Sequence, residues 1–290
     1  PSTARSSQID AVLQRRAEDA RRDSSGQTPG SQAGVPTLLC ASGRGGSGTS
    51  LVAALMAMSA AGDGYRVLLV DADEHVGPLS LLLGVTPRAT WLDLRGGRVS
   101  PLDVASPIST TLTLVAGGAP RLSANDGPAL SAAERKACLR RVSMLASSVD
   151  LVVIDCGSRF ETITSAITPH AGERLLAVTA SADPIGLAST FALCKAVSIR
   201  HGALSMDVLV NRHEGSEAQR CFDAIDAGAR QFLGASLGFA GAVPSDPTLD
   251  AALRAGMPFP DAAAGSPAAI AAHDVVMRSL AGTSSTRPGT

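Results

Sequence analysis

The stretch Gly43-Arg44-Gly45-Gly46-Ser47-Gly48-Thr49-Ser50 decides the reading of this chain. An apolar run, residues 35–41, precedes it, and a helical pattern, residues 50–61, follows. Four glycines fall between Gly43 and Gly48. Glycine permits a tight turn that aims successive backbone N–H groups inward, and the helix starting near Thr49 adds the positive end of its dipole. Strand, glycine-rich turn and helix is the local order of a phosphate-binding loop. Such a loop ordinarily carries a lysine just before its last hydroxyl residue, where it reaches the β and γ phosphates; that position is Thr49 here. Ser50 takes the usual magnesium-ligand position. The predicted cofactor-binding set is Gly43, Gly45, Gly46, Ser47, Gly48, Thr49 and Ser50, a cradle of amides whose main cation is missing.

Two carboxylate motifs extend the site. Leu68-Leu69-Val70-Asp71-Ala72-Asp73 ends an apolar strand, which places both carboxylates at the mouth of the crevice of an open α/β sheet. Asp71 suits a metal-bound water, and Asp73 suits positioning a water near a terminal phosphate. The plainer alternative for this pair is a solvated loop with one helix-capping aspartate. Leu151-Val152-Val153-Ile154-Asp155 is an apolar strand closed by a carboxylate, the Walker B arrangement, in which Asp155 assists Mg²⁺ directly or through water. Cys156 beside it reads as packing, since no partner base is apparent.

The rest of the chain fits one α/β domain. Its 290 residues are 45% apolar but only 3% aromatic, so alanine and glycine supply much of the bulk and helices should lie close to the sheet. Strands are expected at residues 37–41, 66–70, 111–116, 151–155, 175–179, 206–210 and 240–243. Helices are expected at 50–61, 131–148, 185–199, 216–231, 248–255 and 267–280. Several strands are continuously apolar, as strands buried on both faces should be. The alternation predicts a doubly wound, mostly parallel sheet of about seven or eight strands with helices on both faces. Residues 94–108 and 119–130 read as loops. Residues 1–34 read as a flexible segment with a short basic helix (8–22), residues 35–281 as the main domain, and residues 282–290 as a disordered tail.

A net charge of −1 gives no global pull toward nucleic acid. Arg135, Lys136, Arg140 and Arg141 share one helix, read as a solvated face, so DNA binding is not expected. Cys40, Cys138, Cys156, Cys194 and Cys221 contain no C-x-x-C pair and read as buried free thiols of a reducing compartment. The five histidines show no zinc spacing. No apolar signal segment or membrane-length run is visible. The expected location is therefore cytoplasmic, including a polar or inner-membrane-peripheral position reached through a partner.

These motifs, in this order, resemble the MinD/ParA family of P-loop proteins, the deviant Walker A ATPases, over about residues 35–281. The family loop reads G-K-G-G-x-G-K-[ST]. In that frame Arg44 stands where the signature lysine crosses a dimer interface to the partner's phosphates, and Thr49 stands where the conventional lysine would be. Asp71 and Asp73 match the family's D-x-D, and Asp155 its Walker B aspartate. Asn211-Arg212 resembles the adenine-contacting N-R, and Val243-Pro244-Ser245-Asp246 the late segment lining the base pocket. The resemblance implies binding of ATP or ADP with Mg²⁺. Cofactor contacts would then come from Asn211, Arg212, Pro244 and Asp246, and metal contacts from Ser50, Asp71 and Asp155. Asp73 and Arg44 would be the catalytic candidates in a nucleotide-favoured homodimer.

The departures concern chemistry. Arg44 keeps a positive charge with a different, planar geometry, and Thr49 supplies no charge. Losing a charge-assisted contact of about 1.5–3 kcal/mol weakens affinity, and hydrolysis suffers more if the cation acts mainly on transition-state charge. Pro78 and Ser158-Arg159 replace an asparagine and a small A-G pair of the MinD branch. A hydroxyl residue in place of the loop lysine is similar to the branch typified by CpaE and TadZ, and the basic N-terminal segment outlines that of FlhG/FleN. The implied function is regulation of the placement, number or assembly of a bacterial surface machine (pilus, secretion system or flagellum), with weak or absent hydrolysis. An active ATPase cycling in cell division or DNA partitioning, and a nucleotide-free scaffold, are the alternatives.

Overall fold

β1 (Thr37–Ser42) is buried at all six positions. It lies between β5 (Leu151–Gly157) and β6 (Glu173–Thr179), parallel to both. The computed structural model describes residues 34–118, 130–168, 170, 172–180, 182–202 and 204–284. Within them the sheet also contains β2 (Val67–Asp71), β3 (Ala105–Pro107), β4 (Leu112–Val115), β7 (Ser205–Asn211) and β8 (Gly238–Val243), in the spatial order β3-β4-β2-β5-β1-β6-β7-β8. All pairings are parallel except β3 with β4. The strands reverse their order of addition around β1, so the loop after β1 sits where an open α/β sheet has its ligand crevice.

Side-chain alternation along β1 sorts the core into two layers. Leu38 and Cys40 face α1 (Thr49–Gly62) and α9 (Pro267–Ser284), joined by Leu249 of α7 (Pro247–Arg254) and Phe259 of α8 (Phe259–Ala263). Leu39 and Ala41 face α3 (Ala132–Val142), α4 (Phe160–Ala166), α5 (Pro184–Arg200) and α6 (Gly215–Leu233). Ala53, Ala54, Ala57, Ala60 and Ala61 are all buried in α1, which accordingly is apolar all round. Val275 and Val276 of α9 are fully buried in that layer, so its apolar residues pack on the core. All five cysteines are free and buried.

Several sequence expectations need correction. Residues 94–108 are more than a loop: they hold 3-10 turns at Trp91–Gly97 and Pro101–Val104 and the antiparallel edge strand β3, with Leu94 and Val104 buried. The expected helix at 131–148 stops as α-helix at Val142 and continues as a 3-10 segment, Ser143–Ser148. α2 (Pro78–Leu82), α4 and α8 were not expected. α9 runs to Ser284, past Gly282 where a tail was expected. The N-terminal helix at 8–22 and its link, most of the 119–130 loop, and residues 285–290 lie outside the described residues. Among the described residues no helix is long and apolar enough to cross a membrane.

The solvated face on α3 is also corrected. Arg135 is buried, and its guanidinium grips Glu74 at both carboxylate oxygens, at 3.0 and 2.7 Å. Arg141 donates to the carbonyls of Leu94 (2.5 Å) and Val99 (2.7 Å). These arginines clamp the segment after β2 and the 3-10 turns onto α3. Removing one partner of a buried pair leaves an uncompensated charge at a cost of roughly 3–5 kcal/mol, whereas replacing both by apolar groups is often neutral. Urea denaturation should therefore show Arg135→Met losing about that much stability and Glu74→Leu/Arg135→Met recovering most of it. Equal losses in the single and double variants would contradict the clamp.

Candidate functional site

The loop that follows β1 is fixed from outside by two close approaches. Any side chain at Gly43 would collide with the Ser189 carbonyl of α5. Gly48 lies in the left-handed region (φ 79°), and a side chain there would strike the Asn211 amide. Asn211 donates to the Ser47 carbonyl at 2.9 Å. The hydroxyls of Ser42 and Ser47 both donate to the Arg44 carbonyl, at 2.9 and 3.0 Å. α1 then starts on Gly48, whose carbonyl accepts from Val52 N–H. The turn leads directly into the positive end of α1, the geometry that favours a bound anion.

Beside this turn sit two buried carboxylates. Asp71 and Asp155 are paired in register on β2 and β5, so both leave the sheet on the α1 face. Their exposures are 0% and 1%. Burial, then the neighbouring Asp155, pushes the Asp71 pKa up to about 8. Burial pushes Asp155 up to about 6, while the Ser50 hydroxyl and Gly157 N–H favour its charged form. Asp155 Oδ1 accepts from Gly157 N–H at 3.1 Å. Its Oδ2 is buried with no hydrogen-bond partner. An orphaned anionic oxygen, an adjacent hydroxyl and a second carboxylate form a hard-oxygen donor set suited to Mg²⁺. The residues present therefore fit the metal.

Asp71 is buried rather than solvated, while its bond to a first-turn N–H of α2 is that of the helix-capping aspartate in the plainer alternative. Asp71 accepts from Asp73 N–H (3.1 Å) and Leu79 N–H (2.9 Å), and its carbonyl accepts from Trp91 Nε1 (2.8 Å). Asp73 is partly exposed and accepts from His75 N–H at 2.8 Å. The β2 carboxylates thus hold the backbone from Asp73 to Leu79, and α2 follows from that grip. Trp91 was not singled out from sequence; nothing local marks an indole 20 residues away as the cover of Asp71.

The remaining predicted residues divide. Gly45 and Gly46 are exposed at the loop's rim, Ser47 and Thr49 are buried, and Ser50 is half-buried beside Asp155. Arg44 is half-exposed, with its guanidinium 3.7 Å from Asp183, the N-cap of α5. Arg212 is exposed at the end of β7, with φ 63°, the single positive value outside glycine among the described residues. Pro244 and Asp246 follow β8, at the same sheet edge but three strands from β1. Asp246 is buried, capping α7 through Leu249 N–H (2.9 Å) and receiving Ala268 N–H of α9 (3.2 Å). Burial works to raise its pKa, but hydrogen bonds from Leu249, Ala268, Ser266 and Thr248 together hold it below the ordinary range. Asn211 and Asp246 therefore shape the site's walls through backbone contacts. Cys40 and Cys156 are raised well above the ordinary thiol range, by burial first and Asp155 second, which suits packing.

The raised carboxyl pKa values have a signed consequence. The folded state keeps protons that the unfolded chain releases near pH 4, so stability falls as pH rises from about 4 through about 6 for Asp155 and about 8 for Asp71. Thermal melting of metal-free protein should show Tm falling between pH 5 and pH 8. Asp155→Asn should flatten that slope and raise Tm at pH 8. A wild-type profile with the same slope as the variant would contradict the burial of charge at this pair.

The model of the CobQ/CobB/MinD/ParA nucleotide-binding domain matches residues 38–259. The antiactivator FleN of Pseudomonas aeruginosa is 28% identical over 230 residues, covering 78% of this chain and 79% of that protein. The maintenance of carboxysome distribution protein A of Synechococcus elongatus is 34% identical over 122 residues, 41% of this chain and 48% of that protein. Among solved structures, the septum site-determining protein MinD of Pyrococcus horikoshii, complexed with Mg-ADP, superposes with a TM-score of 0.62 at 20% identity, covering 83% of this chain and 95% of that one. That likeness concerns the fold. The family match spans the sheet from β1 to β8 and every motif of the loop, and the chain belongs to the CobQ/CobB/MinD/ParA nucleotide-binding domain family.

Proposed function

We propose that this protein is a nucleotide-dependent spatial regulator of the MinD/ParA type, binding Mg-ATP in the β1–α1 loop and using it to control self-association. The observation that carries the reading is the orphaned Asp155 Oδ2, buried beside Ser50 at the foot of an amide-lined loop. Backbone N–H groups Gly45 to Ser50 would cradle the phosphates, with Ser50 and Asp155 holding Mg²⁺ and Asp71 supporting through water. The metal held there would offset the charge of the phosphates. Asn211, Arg212, Pro244 and Asp246 would form the base side. Arg44 would cross to a partner's phosphates, leaving Asp183.

The task is proposed at the level that the relatives support. One relative is named an antiactivator, and another maintains carboxysome distribution. A partner belonging to a flagellar, pilus or secretion machine is the finer proposal, supported by the FleN likeness and by the hydroxyl at Thr49. Hydrolysis is proposed to be slow, because neither Arg44 nor Thr49 reproduces a lysine. A second reading, an ATPase cycling in division or partition, is favoured by Asp73, which stays partly exposed beside the metal pair.

Nucleotide titration, light scattering and phosphate release separate these readings. Mg-ATP should bind and shift the protein toward dimer, ADP should leave it monomeric, and phosphate should appear slowly. Ser50→Ala/Asp155→Asn should lose the Mg²⁺ dependence of binding. Rapid turnover would select the cycling ATPase. A folded protein with no affinity for any adenine nucleotide at saturating Mg²⁺ would overturn both readings.

A further inference from the structure

The loop's missing lysines leave open which group meets the most negative end of a bound triphosphate. Arg44 does not stand alone, since Asp183 lies 3.7 Å from it. A second arginine enters from the neighbouring strand. β1 and β5 run parallel with Ala41 opposite Gly157, so Gly43 to Gly45 and Ser158-Arg159 leave the sheet side by side at one edge. The two turns are neighbours: a side chain added at Gly45 would come within 3.9 Å of Ser158 Oγ.

Arg159 itself is exposed, and no carboxylate among the described residues pairs with it. Its backbone is nonetheless held. The Arg159 carbonyl accepts Ile163 N–H at 3.0 Å, Ile163 is fully buried, and Phe160 is half-buried beneath the Arg200 guanidinium at 5.8 Å. A fixed base with an exposed, acid-free guanidinium beside an anion cradle is the arrangement that a phosphate-binding arginine needs.

We propose that Arg159 is the cation that replaces the absent loop lysine, binding the terminal phosphate of a nucleoside triphosphate from the β5–α4 turn. The inference rests on the nucleotide reading above. Its direction follows from the strand: Asp155 would hold Mg²⁺ together with Ser50, and the chain continues from Asp155 past the end of β5, beside the loop after β1, to Arg159. The guanidinium therefore meets the γ phosphate, and preference for triphosphate over diphosphate resides largely in this one side chain.

The test is calorimetric titration of Mg-ATP and Mg-ADP into the wild type and into Arg159→Ala, Arg159→Lys and Arg140→Ala, each checked for unchanged thermal melting. Arg140 is exposed on α3 and controls for loss of one surface charge. Arg159→Ala should weaken ATP binding by on the order of ten- to a hundred-fold, the range of a charge-assisted contact, and weaken ADP binding much less. Arg159→Lys should recover part of the loss, and Arg140→Ala should match the wild type. Wild-type ATP affinity in Arg159→Ala, or equal losses for ATP and ADP, would overturn the assignment while leaving the nucleotide site standing. A wild type that binds neither nucleotide would overturn both.

Discussion

Two carboxylates buried side by side, Asp71 and Asp155, set the terms for the rest of this structure. Adjacent parallel strands carry them in register onto one face of the sheet, next to the start of α1. Without a cation, burial first, then repulsion of Asp71 by Asp155 and of Asp155 by Asp73, favours their neutral forms. With one, the same low-dielectric surroundings strengthen the attraction. The site therefore stores a demand for positive charge in the middle of the fold. Asp71 passes the consequences outward, because its carboxylate grips the backbone of Asp73 and Leu79 and its carbonyl receives Trp91. A change of charge at the pair thus acts on the segment that leads into α2.

Against that demand, the loop offers amides rather than side-chain cations. Gly43 lets the turn press on α5, and Gly48 lets it accept Asn211 at its back. The cradle is held by contacts that need no bound ligand, so its shape does not depend on lysine. Affinity and transition-state stabilisation do depend on charge, and the two are separable. On the function proposed above, keeping the cradle and the carboxylates while losing both loop lysines suits a binding switch better than a fast hydrolase. Fold membership alone does not decide the task.

The sequence made the centre of this arrangement readable and its periphery obscure. β1, β2 and β5 are unbroken apolar runs because both faces of a parallel sheet are covered, and glycines cluster after β1 because only they fit there. The placement of Asp71, Asp155 and Asn211 at one edge of the sheet followed from motif order. Arg135 was misread because helical spacing reports a charge's neighbours on its own helix, and its partner Glu74 lies 61 residues away. β3 has three half-buried residues, and only its pairing with β4 makes it a strand. The Asp246 motif was visible, but its carboxylate's bonds to α7 and α9 depend on tertiary placement of Ala268. Arg159 looked like a departure from a pattern until the β1–β5 register brought its neighbour Ser158 close to Gly45.

The claim beneath all of this is that amides and a carboxylate-held metal bind a polyphosphate where loop lysines are gone. Equilibrium titration of ATP into the protein, once with excess Mg²⁺ and once with excess chelator, tests it most directly. The account predicts one saturable site per chain that needs Mg²⁺. Saturation unaffected by the chelator, or no saturation in either condition, would contradict it.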